Sequence, residues 1–184
     1  MQAKRVFAGV AVAATDELRR VLEELRRRLR EERIRWMRLE KLHLTVEFFG
    51  FAPPEQISEW AAALARAAAD VPPFALRLAG VGTFGGPRHP RVLWLGVESA
   101  GLAALHAAAQ ARLREAGWTP EARPFAPHLT LGRLDRLRDA AKFQAVLSAA
   151  GERPAQTQDV RELILYESVA GQYVPLARWP LSGT

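Results

Sequence analysis

Between Lys41 and Gly50 the chain reads KLHLTVEFFG, in which apolar and polar residues alternate with the two-residue period of a half-buried strand. Residues two apart on a strand point to one face, so His43 and Thr45 stand together. Leu42, Leu44, Val46 and Phe48 are expected on the opposite, buried face. The same frame returns at FAPHLTLGR, Phe125 to Arg133, where His128 and Thr130 share a face backed by Leu129 and Leu131.

The surrounding pattern predicts two strand-and-helix units in tandem. A strand from Lys4 to Ala13 precedes a helix capped by Thr15-Asp16, with Leu18, Val21, Leu22, Leu25 and Leu29 at helical spacing. A strand from Arg91 to Glu98 precedes a helix from about Leu102 to Ala116, stopped at Gly117. After each His-Leu-Thr strand a further helix is expected, from Glu55 to Ala69 behind Pro53-Pro54 and from Ala140 to Ala149 before Gly151. Closing strands begin at Phe74 and Val160, and Gly85 to Pro90, GGPRHP, reads as a linker.

Matching segments lie at a nearly constant offset: 128 − 43 = 85 for the histidines and 91 − 5 = 86 for the arginines of RVFAGV and RVLWLGV. A unit occurring twice points to one bilobal domain over 1–184, built by duplication of about 1–84 and 91–171, and not to a solenoid. The repeat also decides how to read the signal-like start MQAKRVFAGVAVAA: its echo at Arg91 to Val97 lies deep in the chain, so the start is a strand and the protein is expected to be cytoplasmic.

Composition narrows the chemistry. The 184 residues are 49% hydrophobic and 25% charged, with a formal charge of +6, nearly all of the positive charge being arginine. That balance leans toward an anionic partner, since guanidinium grips phosphate with paired hydrogen bonds. The charge-rich first helix, where Arg19, Arg20 and Arg26 to Arg28 interleave with Glu23, Glu24, Glu31 and Glu32, reads as a solvated face laced by i,i+4 pairs. With no cysteine, disulfides, thiolate metal sites and cysteine nucleophiles are ruled out. No Walker-type loop appears, and two histidines without an acidic third ligand at a recognisable spacing make a poor metal set. No metal and no cofactor are therefore expected, and no apolar run is long enough for a membrane span.

Of the four histidines, His89 falls in the Gly/Pro linker and His106 on a helix, and both read as exposed or structural. A lone His-x-Thr is more often structural than catalytic. Two copies in register with a wider repeat argue for two imidazoles converging on one cleft, suited to acid–base chemistry near neutral pH. Each threonine hydroxyl can donate to a phosphoryl oxygen.

These motifs, with RVFAGV, PRVLWLGV and ELILYESVAGQYVPLARWPL, resemble the 2H phosphoesterase superfamily, and most closely its RNA 2′,3′-cyclic phosphodiesterases, also called 2′-5′ RNA ligases. The resemblance implies an α+β, bilobal pseudo-two-fold fold, with two antiparallel sheets lining a central cleft and helices outside. It implies metal-free hydrolysis of a terminal 2′,3′-cyclic phosphate on RNA to a 2′-phosphate, with reversible 2′-5′ ligation as a companion activity and tRNA fragments among candidate substrates. By position His43 is the proton donor and His128 the acceptor, with Thr45 and Thr130 on the phosphate and Arg133 as a further phosphate ligand. Strict alternation objects to Arg133, placing it on the buried face unless Gly132 introduces a bulge. For RNA contacts Arg88 and Arg91 flank the linker, and Phe49, Phe84, Phe125 and Tyr166 are aromatic candidates for stacking on bases. The expected molecule is a monomer. Two other readings are a phosphodiesterase acting on a small cyclic phosphate, such as a cyclic nucleotide or ADP-ribose cyclic phosphate, and a non-catalytic RNA-binding protein of the same fold.

Overall fold

The computed structural model describes residues 2–86, 89–120, 124–151 and 153–184. Of the sequence expectations, Arg88 lies outside these. In chain order the elements are β1 (Lys4–Ala11), α1 (Asp16–Arg28), β2 (Arg33–Trp36), β3 (His43–Ala52), α2 (Pro54–Ala69), β4 (Phe74–Gly86), β5 (His89–Glu98), α3 (Ala100–Glu115), β6 (His128–Arg136), α4 (Ala140–Ala150), β7 (Pro154–Val160), β8 (Glu162–Val169) and β9 (Gln172–Pro180). The helices start where side chains satisfy their free N–H groups: Leu18 N donates to Thr15 Oγ1, Leu102 N to Ser99 Oγ and Lys142 N to Asp139 Oδ1.

All observed strand pairs are antiparallel, in the order β7-β4-β5-β6-β3-β1-β8-β9, with β2 beside β6. The two expected antiparallel halves are present. They meet at one ladder pair, Leu44 with Leu129, which makes them a continuous nine-stranded sheet. Strands that correspond at the sequence offset, β1 with β5 and β3 with β6, take mirror places about this junction. The strand closing each half crosses over: β4 pairs with β5, and β8 pairs with β1.

One core backs the sheet. Leu18, Leu22, Trp60, Leu64, Leu102, Leu105 and Phe143 from the helices pack with Val6, Leu44, Leu93 and Leu129 from the strands. Burying each such side chain contributes roughly 1.5–3 kcal/mol. The other face carries a small separate cluster of Phe7, Ile164 and Tyr166, with Tyr173 against it. Among the described residues no helix is long and apolar enough to cross a membrane.

Several boundaries differ from expectation. Four residues of the expected Gly85–Pro90 linker are strand, for the ladder between β4 and β5 continues through Gly85 with Pro90 and Gly86 with His89. An unexpected strand, β7, ends at Val160 and pairs with β4, and the strand expected from Val160 is β8, which pairs with β1. Its continuation, β9, turns back at Ala170 and Gly171, both at positive φ, as a two-residue hairpin with the native twist requires.

Candidate active site

The ladder that joins the lobes also assembles the site. Leu44 and Leu129 are both fully buried on the helix side. Because the strands run antiparallel, the residues flanking this pair face each other on the opposite side: His43 lies across from Thr130, and Thr45 across from His128. Each imidazole thus stands beside its own threonine along the strand and opposite the other threonine across the junction. Thr45 and His128 border one open cavity, of about 550 Å³, together with Phe48, Phe84 and Phe125.

Both imidazoles are held the same way. His43 Nδ1 lies 2.8 Å from the Lys41 carbonyl oxygen and His128 Nδ1 lies 2.8 Å from that of Ala126. A carbonyl can only accept, so Nδ1 carries the hydrogen in each ring and Nε2 is left for chemistry. Their surroundings differ. His43 packs against Phe7 (ring centroids 4.7 Å) and edge-on to Tyr173 (4.9 Å), whereas His128 makes one aromatic contact among the described residues, a T-shaped one with Phe84 (4.6 Å). Burial holds the His43 pKa below the ordinary histidine value. The hydrogen bond to Lys41 opposes that effect, and the charge of His128 across the junction adds to it.

Bulges in the two motif strands redirect the residues beyond each threonine. On β3, Gly9 faces Thr45 while Ala8 faces Glu47, so Val46 is an extra residue. Glu47 is consequently buried, at 7% exposed, where its carboxylate accepts from Gln110 Nε2 at 2.8 Å. Phe48, expected in the core, is turned out and 39% exposed, with the Arg5 guanidinium 4.8 Å over its ring. On β6, Trp94 faces Thr130 while Leu93 faces Gly132, so Leu131 is the extra residue. Val92 and Trp94 share a face of β5 and pair with Arg133 and Thr130. Arg133 therefore stands on the same side as Thr130 and is exposed, which removes the objection from strict alternation.

The remaining candidates separate. Phe49 is core, 7% exposed and stacked on Trp60 at 4.6 Å, and Tyr166 is buried against Phe7; neither presents a free ring. Phe125 lies flat on His106, centroids 3.8 Å apart, at the rim of the His128 cavity, and Phe84 is 37% exposed within it. His106 is half-buried, and that burial lowers its pKa. Arg91 and His89 line a different cavity, shared with Arg133. No pattern in the sequence signals the contacts of Phe7 and Tyr173 with His43. RVFAGV signals a strand, but only its pairing with β3 and β8 shows which of its faces meets His43. Among the described residues no group of three or more His, Cys, Asp or Glu comes together.

The model of the 2′-5′ RNA ligase superfamily matches residues 14–172 of the chain. Among curated relatives, the RNA 2′,3′-cyclic phosphodiesterase of Geobacillus stearothermophilus is 34% identical over 152 residues, which is 80% of this chain and 48% of that protein. The chain thus spans about half of that relative's length. The protein of the same name from Thermotoga maritima is 32% identical over 128 residues, 68% of either chain. Among solved structures, a protein of Thermus thermophilus superposes with a TM-score of 0.77 at 27% identity, over 97% of this chain and 98% of that one. LigT of E. coli, solved with 3′-AMP, gives 0.76 at 26% identity over 98% and 99%.

Proposed function

The chain belongs to the 2′-5′ RNA ligase superfamily, and from that membership we propose that it is an RNA 2′,3′-cyclic phosphodiesterase working by two-histidine acid–base catalysis. The observation that carries the reading is the Leu44–Leu129 register, which sets His43, Thr45, His128 and Thr130 on one face at the junction of the lobes. The names of the curated relatives support the substrate class.

In this mechanism the cyclic phosphodiester lies between the two motifs. Its non-bridging oxygens accept hydrogen bonds from Thr45, Thr130 and Arg133. His128 Nε2 takes a proton from water as the water oxygen bonds to phosphorus. The bond from phosphorus to O3′ breaks opposite, and O3′ receives a proton from His43 Nε2, leaving a 2′-phosphate and a 3′-hydroxyl. With an RNA 5′-hydroxyl in place of water, the same displacement forms a 2′-5′ linkage.

The donor role needs a protonated His43, whereas burial in the free protein favours the neutral ring. A bound phosphodiester carries a negative charge beside the ring and raises its pKa. The kcat/KM profile reports the free enzyme and the kcat profile the complex. The alkaline limb of kcat/KM is therefore expected below the ordinary histidine value, and that of kcat at higher pH. If instead the acid limb of kcat/KM is the one displaced downward, His43 is the acceptor and the two roles are exchanged.

The reading is tested by giving EDTA-treated protein, in parallel, RNA ending in a 2′,3′-cyclic phosphate and small cyclic nucleotides. Turnover of the RNA is expected without added metal or nucleoside triphosphate, since neither a metal-ligand spacing nor a phosphate loop occurs in the sequence. Activity lost with chelator and restored by a divalent ion would overturn the two-histidine mechanism. Efficient turnover of the small cyclic phosphates alone would move the substrate class away from RNA.

A further inference from the structure

We infer that the lobe built on β4, β5 and β6 carries a phosphate-binding surface for the RNA chain leading up to the cyclic end, formed by Arg35, Arg91, Arg133 and Arg136. This rests on the RNA reading above and adds where the strand lies. The four arginines, with His89, border one open cavity of about 670 Å³, separate from the His128 cavity.

Three of the four arginines have no compensating carboxylate among the described residues. Arg35 and Arg133 are direct ladder partners, as are Arg33 and Arg136, and like charges directly opposed on a sheet are destabilising unless an anion lies between them. Among the described residues the one carboxylate lining the cavity is Asp135, which pairs with Arg35 at 2.8 Å. Arg91, Arg133 and Arg136 are exposed and form no hydrogen bond or ion pair among the described residues. On the other lobe the cations near the cleft are engaged. Arg5 reaches Ser168 and covers Phe48, Arg19 donates to the Ala14 carbonyl, and Lys41 donates to that of Gly171.

The cavity also lies beyond the motif along β6. Arg133 shares a face with Thr130, and once the bulge is counted it is two ladder steps further along β6, about 7 Å at the rise of a strand. A phosphate held at Thr130 and Arg133 thus has its neighbour in the chain delivered toward Arg35, Arg91 and Arg136. A terminal cyclic phosphate has RNA on its 5′ side only, so one such track suffices.

The test compares wild type with the Arg91→Gln/Arg136→Gln double variant and with Asp135→Asn, using a cyclic-phosphate-ended oligonucleotide and a 2′,3′-cyclic mononucleotide. Removing two single-strand phosphate contacts should flatten the plot of log affinity against log salt by about 1.4. Between 50 and 200 mM salt that shrinks the oligonucleotide's salt sensitivity about sevenfold. In the double variant the ratio of kcat/KM for oligonucleotide over mononucleotide should fall, and in Asp135→Asn it should rise. Anisotropy of a labelled 2′-phosphate-ended oligonucleotide reads the same surface without turnover, so the inference is decided even if neither cyclic substrate is hydrolysed and the proposed activity fails. An unchanged salt slope for the oligonucleotide in the double variant overturns it.

Discussion

Replacing His128 by alanine is expected to lower turnover of a cyclic-phosphate-ended RNA by about 10²–10⁴-fold, the usual contribution of a general acid or base, with little change in melting temperature. His128 opens onto a cavity and meets one ring edge, so its loss removes little packing. His43→Ala should cost the same order in turnover and some stability as well, because His43 packs against Phe7 and Tyr173. His43→Gln fills much of that space and separates the two effects: stability recovers toward wild type while turnover does not. Near-normal turnover from either histidine variant with an intact melting curve would remove that ring from the mechanism.

Leu44→Ala is expected to destabilise the fold by about 2–5 kcal/mol, the range for deleting a fully buried leucine. Leu44 is completely inaccessible and supplies half of the one ladder pair that joins the lobes. Its side chain points away from the histidines, so the variant tests the scaffold and not the chemistry. Urea unfolding should show a lower midpoint, with residual turnover tracking the folded fraction. A wild-type midpoint would mean that the junction contributes nothing to holding the lobes together.

The strands bearing the motifs were legible because their apolar alternation is strong and the buried partners, Leu44, Leu129 and Leu131, obey it. What lay beyond each threonine was not. A bulge depends on the register with a neighbouring strand, and no local signal announces that Val46 or Leu131 is the extra residue. Strict alternation consequently exchanged Phe48 with Phe49, putting the exposed ring in the core and the core ring at the surface. The same cause made Arg133 look buried, although Gly132 hinted otherwise. β2 escaped notice because RIRW is short and its two arginines resemble the charged helix before it. The paired residues Gly85, Gly86, His89 and Pro90 read as a linker because Gly and Pro mark turns whether or not the ladder continues into them.

His43 and His128 came out of the sequence as a pair, but their unequal surroundings did not. That asymmetry comes from β1 and from the hairpin of β8 and β9, which put Phe7 and Tyr173 around His43, while among the described residues Phe84 is the one aromatic ring against His128. Equal motifs on unequal walls can divide one proton between two otherwise similar rings.

The account is tested most directly by following EDTA-treated protein and cyclic-phosphate-ended RNA with phosphorus NMR. Loss of the cyclic phosphate signal with growth of a 2′-phosphate monoester is the predicted result, because in the proposed mechanism O3′ is the oxygen protonated from His43. A 3′-phosphate product, or a cyclic phosphate that persists, would contradict it.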